Sequence, residues 1–157
     1  MAAGDTKASG EAGGKPADLV IERVFDAPPR LVFEAWSKPE NLKQWFGPKG
    51  CGMWKFEVEF RERGKLEFGY TGPDGTKYPP FIGTYGKIEA PKRIEFAGKL
   101  LGPEEQKVQT AVTFEEVSGK TKVTVHQTYE RESYATRGAP EGWRQTLERL
   151  NEFLARA

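Results

Sequence analysis

Acid–base, nucleophilic or metal chemistry in this chain would have to begin from one histidine, His126, and one cysteine, Cys51. His126 lies in the run Val123-Thr-Val-His-Gln-Thr128. Alternation places it with Thr124 and Thr128, opposite Val123 and Val125, and therefore on the outer face of a strand. General acid–base work would need it to face an interior. Zinc would need further His, Cys or carboxylate ligands at suitable spacing, and none accompanies it. Cys51, in Pro48-Lys-Gly-Cys-Gly52, has no base at a recognisable spacing and reads as incidental rather than nucleophilic. A lone cysteine also excludes an internal disulfide framework.

The carboxylates Glu57, Glu59, Glu67, Glu95, Glu115 and Glu116 fall mostly at outward strand positions, where solvation is their ordinary state. The glycine-bearing stretches Gly47–Gly52 and Gly83–Gly86 match neither the phosphate-binding loop nor the dinucleotide fingerprint. No catalytic residue, metal ligand or cofactor motif is therefore assigned, and an enzyme is the less favoured reading. Lys+Arg 24 against Asp+Glu 23 leaves a net charge of +1, with the two signs interleaved along the chain. That distribution excludes a nucleic-acid stripe. The apolar runs fall far short of the ~20 residues a membrane span needs. A soluble, cytoplasmic domain is expected.

Binding chemistry is better represented than catalysis. The chain holds 19 aromatic residues, Phe 10, Tyr 5 and Trp 4. Trp54, Phe56, Phe68, Tyr70, Phe81, Tyr85, Phe96 and Phe114 take strand positions, Trp143, Leu147 and Leu150 a helix stripe, and Trp45 and Phe46 a short helical segment. With Gln127 these are the candidate lining of a cavity, in which Tyr70, Tyr85 and Gln127 supply polar tips to an apolar wall. An empty cavity of ~300 Å³ would cost roughly 7 kcal/mol, comparable with a domain's whole stability of ~5–15 kcal/mol. Such a space is collapsed, wet or occupied.

The elements that must position these residues can be read along the chain. Residues 1–17, Ala, Gly, Ser and charge, are too polar to bury surface and are expected to be a disordered tail. The tail has neither the apolar core of a secretory signal nor the arginines of a transit peptide. Residues 18–157 form one domain. Leu19–Phe25 is a strand; Arg30–Trp36 is helical, and Ser37-Lys-Pro-Glu40 starts a second short helix with Ser37 as cap. Strands follow at Trp54–Phe60, Leu66–Tyr70, Phe81–Ile88, Arg93–Ala97, Lys107–Val117 and Thr121–Tyr129, the last two joined by a tight turn at Ser118-Gly119. Trp143, Leu147, Leu150 and Leu154 mark one stripe of an amphipathic helix from about Pro140 to Arg156, with Glu148, Arg149, Glu152 and Arg156 on its solvent side.

The order is one strand, two short helices, six strands and one long helix. Consecutive antiparallel strands curl, and the apolar concave face needs a cover that only the last helix can supply. The expected fold is α+β: a curved seven-stranded antiparallel sheet wrapped around that helix.

Four segments in this order resemble the activator of Hsp90 ATPase-like branch of the START/Bet v 1-like superfamily. They are Val20–Trp36 with Pro39–Gly47, Gly83–Phe96 (similar to G-x-Y-x-x-I-x-x-P-x-R-I), Thr121–Val125, and Gly142-Trp143 followed by Leu147, Leu150 and Leu154. The resemblance implies a helix-grip fold with an internal cavity. Its members range from ligand carriers to cyclases and co-chaperone domains. It implies a small hydrophobic molecule as partner, or alternatively an Hsp90-type chaperone contacted by a stress-response interaction module; a cyclase- or hydrolase-type enzyme is the third reading. The family's chaperone activator carries an additional N-terminal domain where this chain has a short tail, so direct ATPase stimulation is not expected. A monomer or weak homodimer is expected.

Overall fold

The computed structural model describes residues 16–157. The expectation of a disordered tail lies outside those residues except at its end, where Ala17 is already the first residue of a strand paired with Tyr129. The strands are β1 (Ala17–Phe25), β2 (Gly52–Val58), β3 (Lys65–Thr71), β4 (Phe81–Glu89), β5 (Arg93–Leu100), β6 (Gln106–Val117) and β7 (Lys120–Tyr129). The helices are α1 (Pro29–Ser37), α2 (Pro39–Trp45) and α3 (Tyr134–Arg156). All strand pairs are antiparallel, in the order β1-β7-β6-β5-β4-β3-β2. This is the α+β helix grip: α3 packs along the inner face of the curved sheet, and α1 and α2 close one end.

Strand alternation decides which side chains face α3. Val123, Val125, Gln127 and Tyr129 of β7 are buried, whereas His126 and Thr128 are exposed on the outer face. There the His126 Nε2 lies 3.4 Å from Asp18 Oδ1 on β1.

Local chemistry shifts three of the expected boundaries. Ser37 ends α1 rather than capping α2; Lys38 serves both helices, its N–H bonded to Glu34 O while its carbonyl accepts from Asn41 and Leu42. The long helix begins at Tyr134, six residues ahead of Pro140. A capping box explains this: Ser133 Oγ accepts from the Thr136 N–H at 3.3 Å, and Thr136 Oγ1 accepts from the Ser133 N–H at 2.8 Å. Pro140 sits inside the helix, tolerated at the loss of one intrahelical bond. Strand β2 ends at Val58, and Phe60 packs on the core from the loop that follows.

The surface expected for α3 also needs correction. Glu148 pairs with Arg23 of β1 at 2.5 Å, both side chains about a third exposed, and Arg149 is part-buried against the loop after α2. The two residues tie the helix to β1 and to the loop after α2.

Candidate pocket in the grip

Half of the grip is filled. Trp36 of α1 stacks on Trp143 of α3 with centroids 6.2 Å apart, and Trp45 meets Trp36 edge-on at 4.9 Å. Phe33 meets Phe114 at 5.2 Å, and Leu147 and Leu150 are fully buried beneath them. The other half is open, because the first turns of α3 carry small residues. A methyl carbon added at Gly138 would meet nothing within 4 Å, and one at Gly142 would touch only Pro48 Cγ at 3.9 Å.

The space so left is a pocket of about 230 Å³. Its helix wall is Ala135, Gly138, Ala139, Gly142, Trp143 and Thr146. Phe68, Tyr70, Phe81, Phe96 and Leu100 form one sheet wall, and Val108, Thr110, Gln127 and Tyr129 the other. Phe46 and Pro48 close the end beyond α2.

A buried hydrogen-bonded line crosses the second wall. The Tyr129 hydroxyl donates to Gln127 Oε1, and Gln127 Nε2 donates to Thr110 Oγ1 at 2.9 Å. Burial pushes the Tyr129 phenol up to about 12 and holds Tyr70 above the ordinary phenol value, so both are neutral hydroxyls near neutrality. The lining contains no carboxylate, histidine, lysine or thiol. It offers apolar contact and neutral hydrogen bonds.

The wall beyond α2 is held by α3. The Arg149 guanidinium donates to the carbonyls of Gln44, Phe46, Gly47 and Pro48 at 3.0–3.4 Å, satisfying the orphan end of α2. The Lys49 N–H donates to Gln145 Oε1 at 3.1 Å. Gly47, at φ +108°, has the Tyr70 ring 2.8 Å from where a Cβ would stand. Both the backbone and the ring therefore require glycine there.

Of the candidate lining residues, Phe46, Phe68, Tyr70, Phe81, Phe96, Gln127 and Trp143 surround this pocket. Trp45, Phe114, Leu147 and Leu150 lie in the filled half, where Trp45 donates its indole N–H to Ala35 O at 3.0 Å. Phe56 pairs across the strands with Phe68 and has the Lys43 ammonium 5.8 Å from its ring, beside α2 and outside the pocket. Tyr85 packs edge-on against Phe60 at 5.0 Å, deeper in the core.

Trp54 is displaced altogether. A bulge between Met53 and Lys55 inserts one residue, and Trp54 turns outward over Gly69, its indole N–H donating to Tyr78 O at 2.9 Å. The helix wall other than Trp143, with Pro48, Leu100, Val108, Thr110 and Tyr129, was not singled out from sequence. Thr110 and Tyr129 follow from the same alternation as Phe114 and Gln127, and Gly138, Gly142 and Thr146 from their i, i+4, i+8 spacing.

A groove of about 400 Å³ on the opposite face of the sheet, floored by Ala97 and Ala111, is open to solvent and takes in His126. Among the described residues no group of three or more His, Cys, Asp or Glu is placed to hold a metal, and no helix is long and apolar enough to cross a membrane.

Residues 26–155 match the family model described as activator of Hsp90 ATPase homolog 1-like protein. No curated protein matches the chain. Among solved structures, an uncharacterised protein from Rhizobium leguminosarum is 32% identical, with 91% of this chain and 97% of that one covered at a TM-score of 0.79. A protein from Chromobacterium violaceum is 23% identical, covering 86% and 94% at 0.79. The AHSA1 protein from Silicibacter pomeroyi is 23% identical, covering 88% and 98% at 0.69.

Proposed function

The chain belongs to the activator of Hsp90 ATPase homolog 1-like family, and from that premise we propose that it binds a compact apolar or amphipathic molecule in the pocket between α3 and the sheet. One observation carries this reading: Gly138 and Gly142 leave the helix face empty opposite a buried Tyr129–Gln127–Thr110 line. A core selected only for packing would fill that space of about 230 Å³, because bulkier side chains on that face of α3 would bury more apolar surface against the sheet. Its size, below the ~300–1,000 Å³ of drug-sized sites, favours one or two rings over a long chain. The apolar floor would take the rings and the polar line the oxygen or nitrogen at their edge.

The test is titration of the full chain with a naphthalene-based fluorescent probe, alone and as Gly142→Leu. Affinity on the micromolar scale, about −8 kcal/mol, is expected, together with a rise in Tm by mass action. Gly142→Leu should abolish both while remaining folded. Unchanged binding in that variant would place the probe elsewhere and overturn the reading.

A chaperone-interaction module is the second reading. The observation favouring it is the exposed pair Trp54 and Tyr78, 40% and 47% accessible, with the Lys77 ammonium 5.8 Å from the Trp54 ring. Capture of an Hsp90-type chaperone that is lost in Trp54→Ser, with probe binding intact, would support it.

A further inference from the structure

Beyond Phe46 and Phe96 lies a second, smaller void of about 10 Å³, bounded also by Trp36, Leu42, Leu66, Tyr85 and Ile94. Phe46 and Phe96 line both spaces, so the two rings are the partition between void and pocket. Trp36 is 3% exposed, and its indole Nε1 is the one buried side-chain polar atom among the described residues without a hydrogen-bond partner. The other buried indole donor of this region, on Trp45, is bonded to a carbonyl. A donor desolvated without a partner is costly and calls for an explanation.

The void sits at the lower limit of what a single water occupies, and a water there would want two or more polar partners. Its boundary supplies few: six of its seven residues are Trp, Leu, Ile or Phe, and Tyr85 carries the only hydroxyl. An oxygen already attached to a ring needs only one donor and no room for further hydrogens. Of the two partition rings, Phe46 is the one not borne by a strand. Phe46 ends α2 and precedes Gly47, in a loop held to α3 by the Arg149 side chain rather than by a strand.

We infer that the void is an inner acceptor subsite of the pocket, where the Trp36 indole N–H receives the carbonyl or ether oxygen at the leading end of a ring ligand once the Phe46 ring turns aside. The inference rests on the pocket reading above and adds the ligand's chemistry: an aryl or alicyclic ketone, or an ether of similar shape, over the matching hydrocarbon. The Tyr129–Gln127–Thr110 line then serves the trailing end.

Two probes of nearly equal shape test it, 2-acetylnaphthalene and 2-ethylnaphthalene, titrated into the full ¹⁵N-labelled chain. The ketone should bind about five- to tenfold more tightly, the usual yield of one hydrogen bond. It should also move the Trp36 indole proton downfield, while the hydrocarbon does not. Trp36→Phe should bring the ketone's affinity down to that of the hydrocarbon; should that variant fail to fold, the indole resonance of the unaltered chain decides. Equal affinities with an unmoved Trp36 signal would confine both probes to the outer pocket and overturn the subsite. A Trp36 proton already downfield without probe, and unmoved by the ketone, would mean a resident water and would overturn it equally. Failure of both probes to bind would instead overturn the pocket reading, and the subsite with it.

Discussion

Arg149 of α3 donates to the carbonyl of Gly47 at 3.0 Å, joining residues 102 positions apart. Around that bond the same guanidinium reaches Gln44, Phe46 and Pro48, so a cation with no carboxylate partner among the described residues holds four carbonyls where α2 ends. Two of those residues, Phe46 and Pro48, form one wall of the pocket. The helix that lines the pocket therefore also fixes its opposite end.

Arg149→Met keeps most of the stem's packing and removes the donors. Hydrogen bonds from a charged group contribute about 1.5–3 kcal/mol each, but a set sharing one guanidinium at its exposed edge yields less than their sum. A stability loss of about 1–3 kcal/mol in urea melts is expected. Probe affinity should fall by about tenfold as the wall loosens, roughly 1.4 kcal/mol. Unaltered affinity with lowered stability would show that the loop keeps its place without Arg149.

Gly138 and Gly142 are expected to be tolerant in stability and intolerant in function. Both are helical with space beside them, so Gly138→Ala should stabilise by up to about 1 kcal/mol through helix propensity alone. Gly142→Leu should keep the fold and fill the pocket. Thermal melts and probe titration in parallel separate these effects. A large destabilisation by Gly142→Leu would mean that the space is smaller than the helix face suggests.

The sheet was legible because period-two alternation survives along β6 and β7, where Phe114, Val123, Val125 and Gln127 all face inward as read. It fails at Trp54 because one bulge residue reverses the alternation, and nothing in Met53-Trp-Lys55 marks a bulge. The pocket wall on α3 was illegible for a different reason. The helix read from sequence starts at about Pro140, which leaves Ala135, Gly138 and Ala139 outside it, and the capping box at Ser133 that starts it earlier uses Thr136 rather than the usual Glu or Gln. Arg149 sits on the polar stripe, and only the tertiary path of the loop after α2 turns that stripe into a contact. Local pattern reports which face is apolar; it does not report where that face lacks bulk.

The Glu141 carboxyl is held down to about 2 by hydrogen bonds from Arg144 first and Gln145 second. Gln145 in turn accepts from the Lys49 N–H of the pocket-closing loop. Because the folded value lies below the ordinary 4.5, the contribution is fully present above that value and lost as pH falls toward 2. Glu141→Gln should therefore be less stable than the unaltered chain near neutrality, with the gap closing between about 4.5 and 2. Urea midpoints across that range measure it. A gap independent of pH would assign the effect to packing.

Trp143 carries the junction of the filled and open halves. Its indole stacks on Trp36 at an interplanar angle of 17° and meets Phe46 edge-on at 5.9 Å, while another part of it faces the pocket. Trp143→Ala removes a large, nearly buried aromatic and should cost about 3–5 kcal/mol. The consequence for binding runs the other way. With Trp143 gone, the face of Trp36 that it covered is bared beside Phe46, so the space should lengthen toward α1 and admit larger apolar probes. In the variant that still folds, a three-ring hydrocarbon such as anthracene should gain affinity relative to naphthalene, and saturating probe should return part of the lost Tm by mass action. A stability loss under 1 kcal/mol would mean that Trp143 is not part of the core, and an unchanged probe preference would mean that neighbouring side chains collapse into the gap.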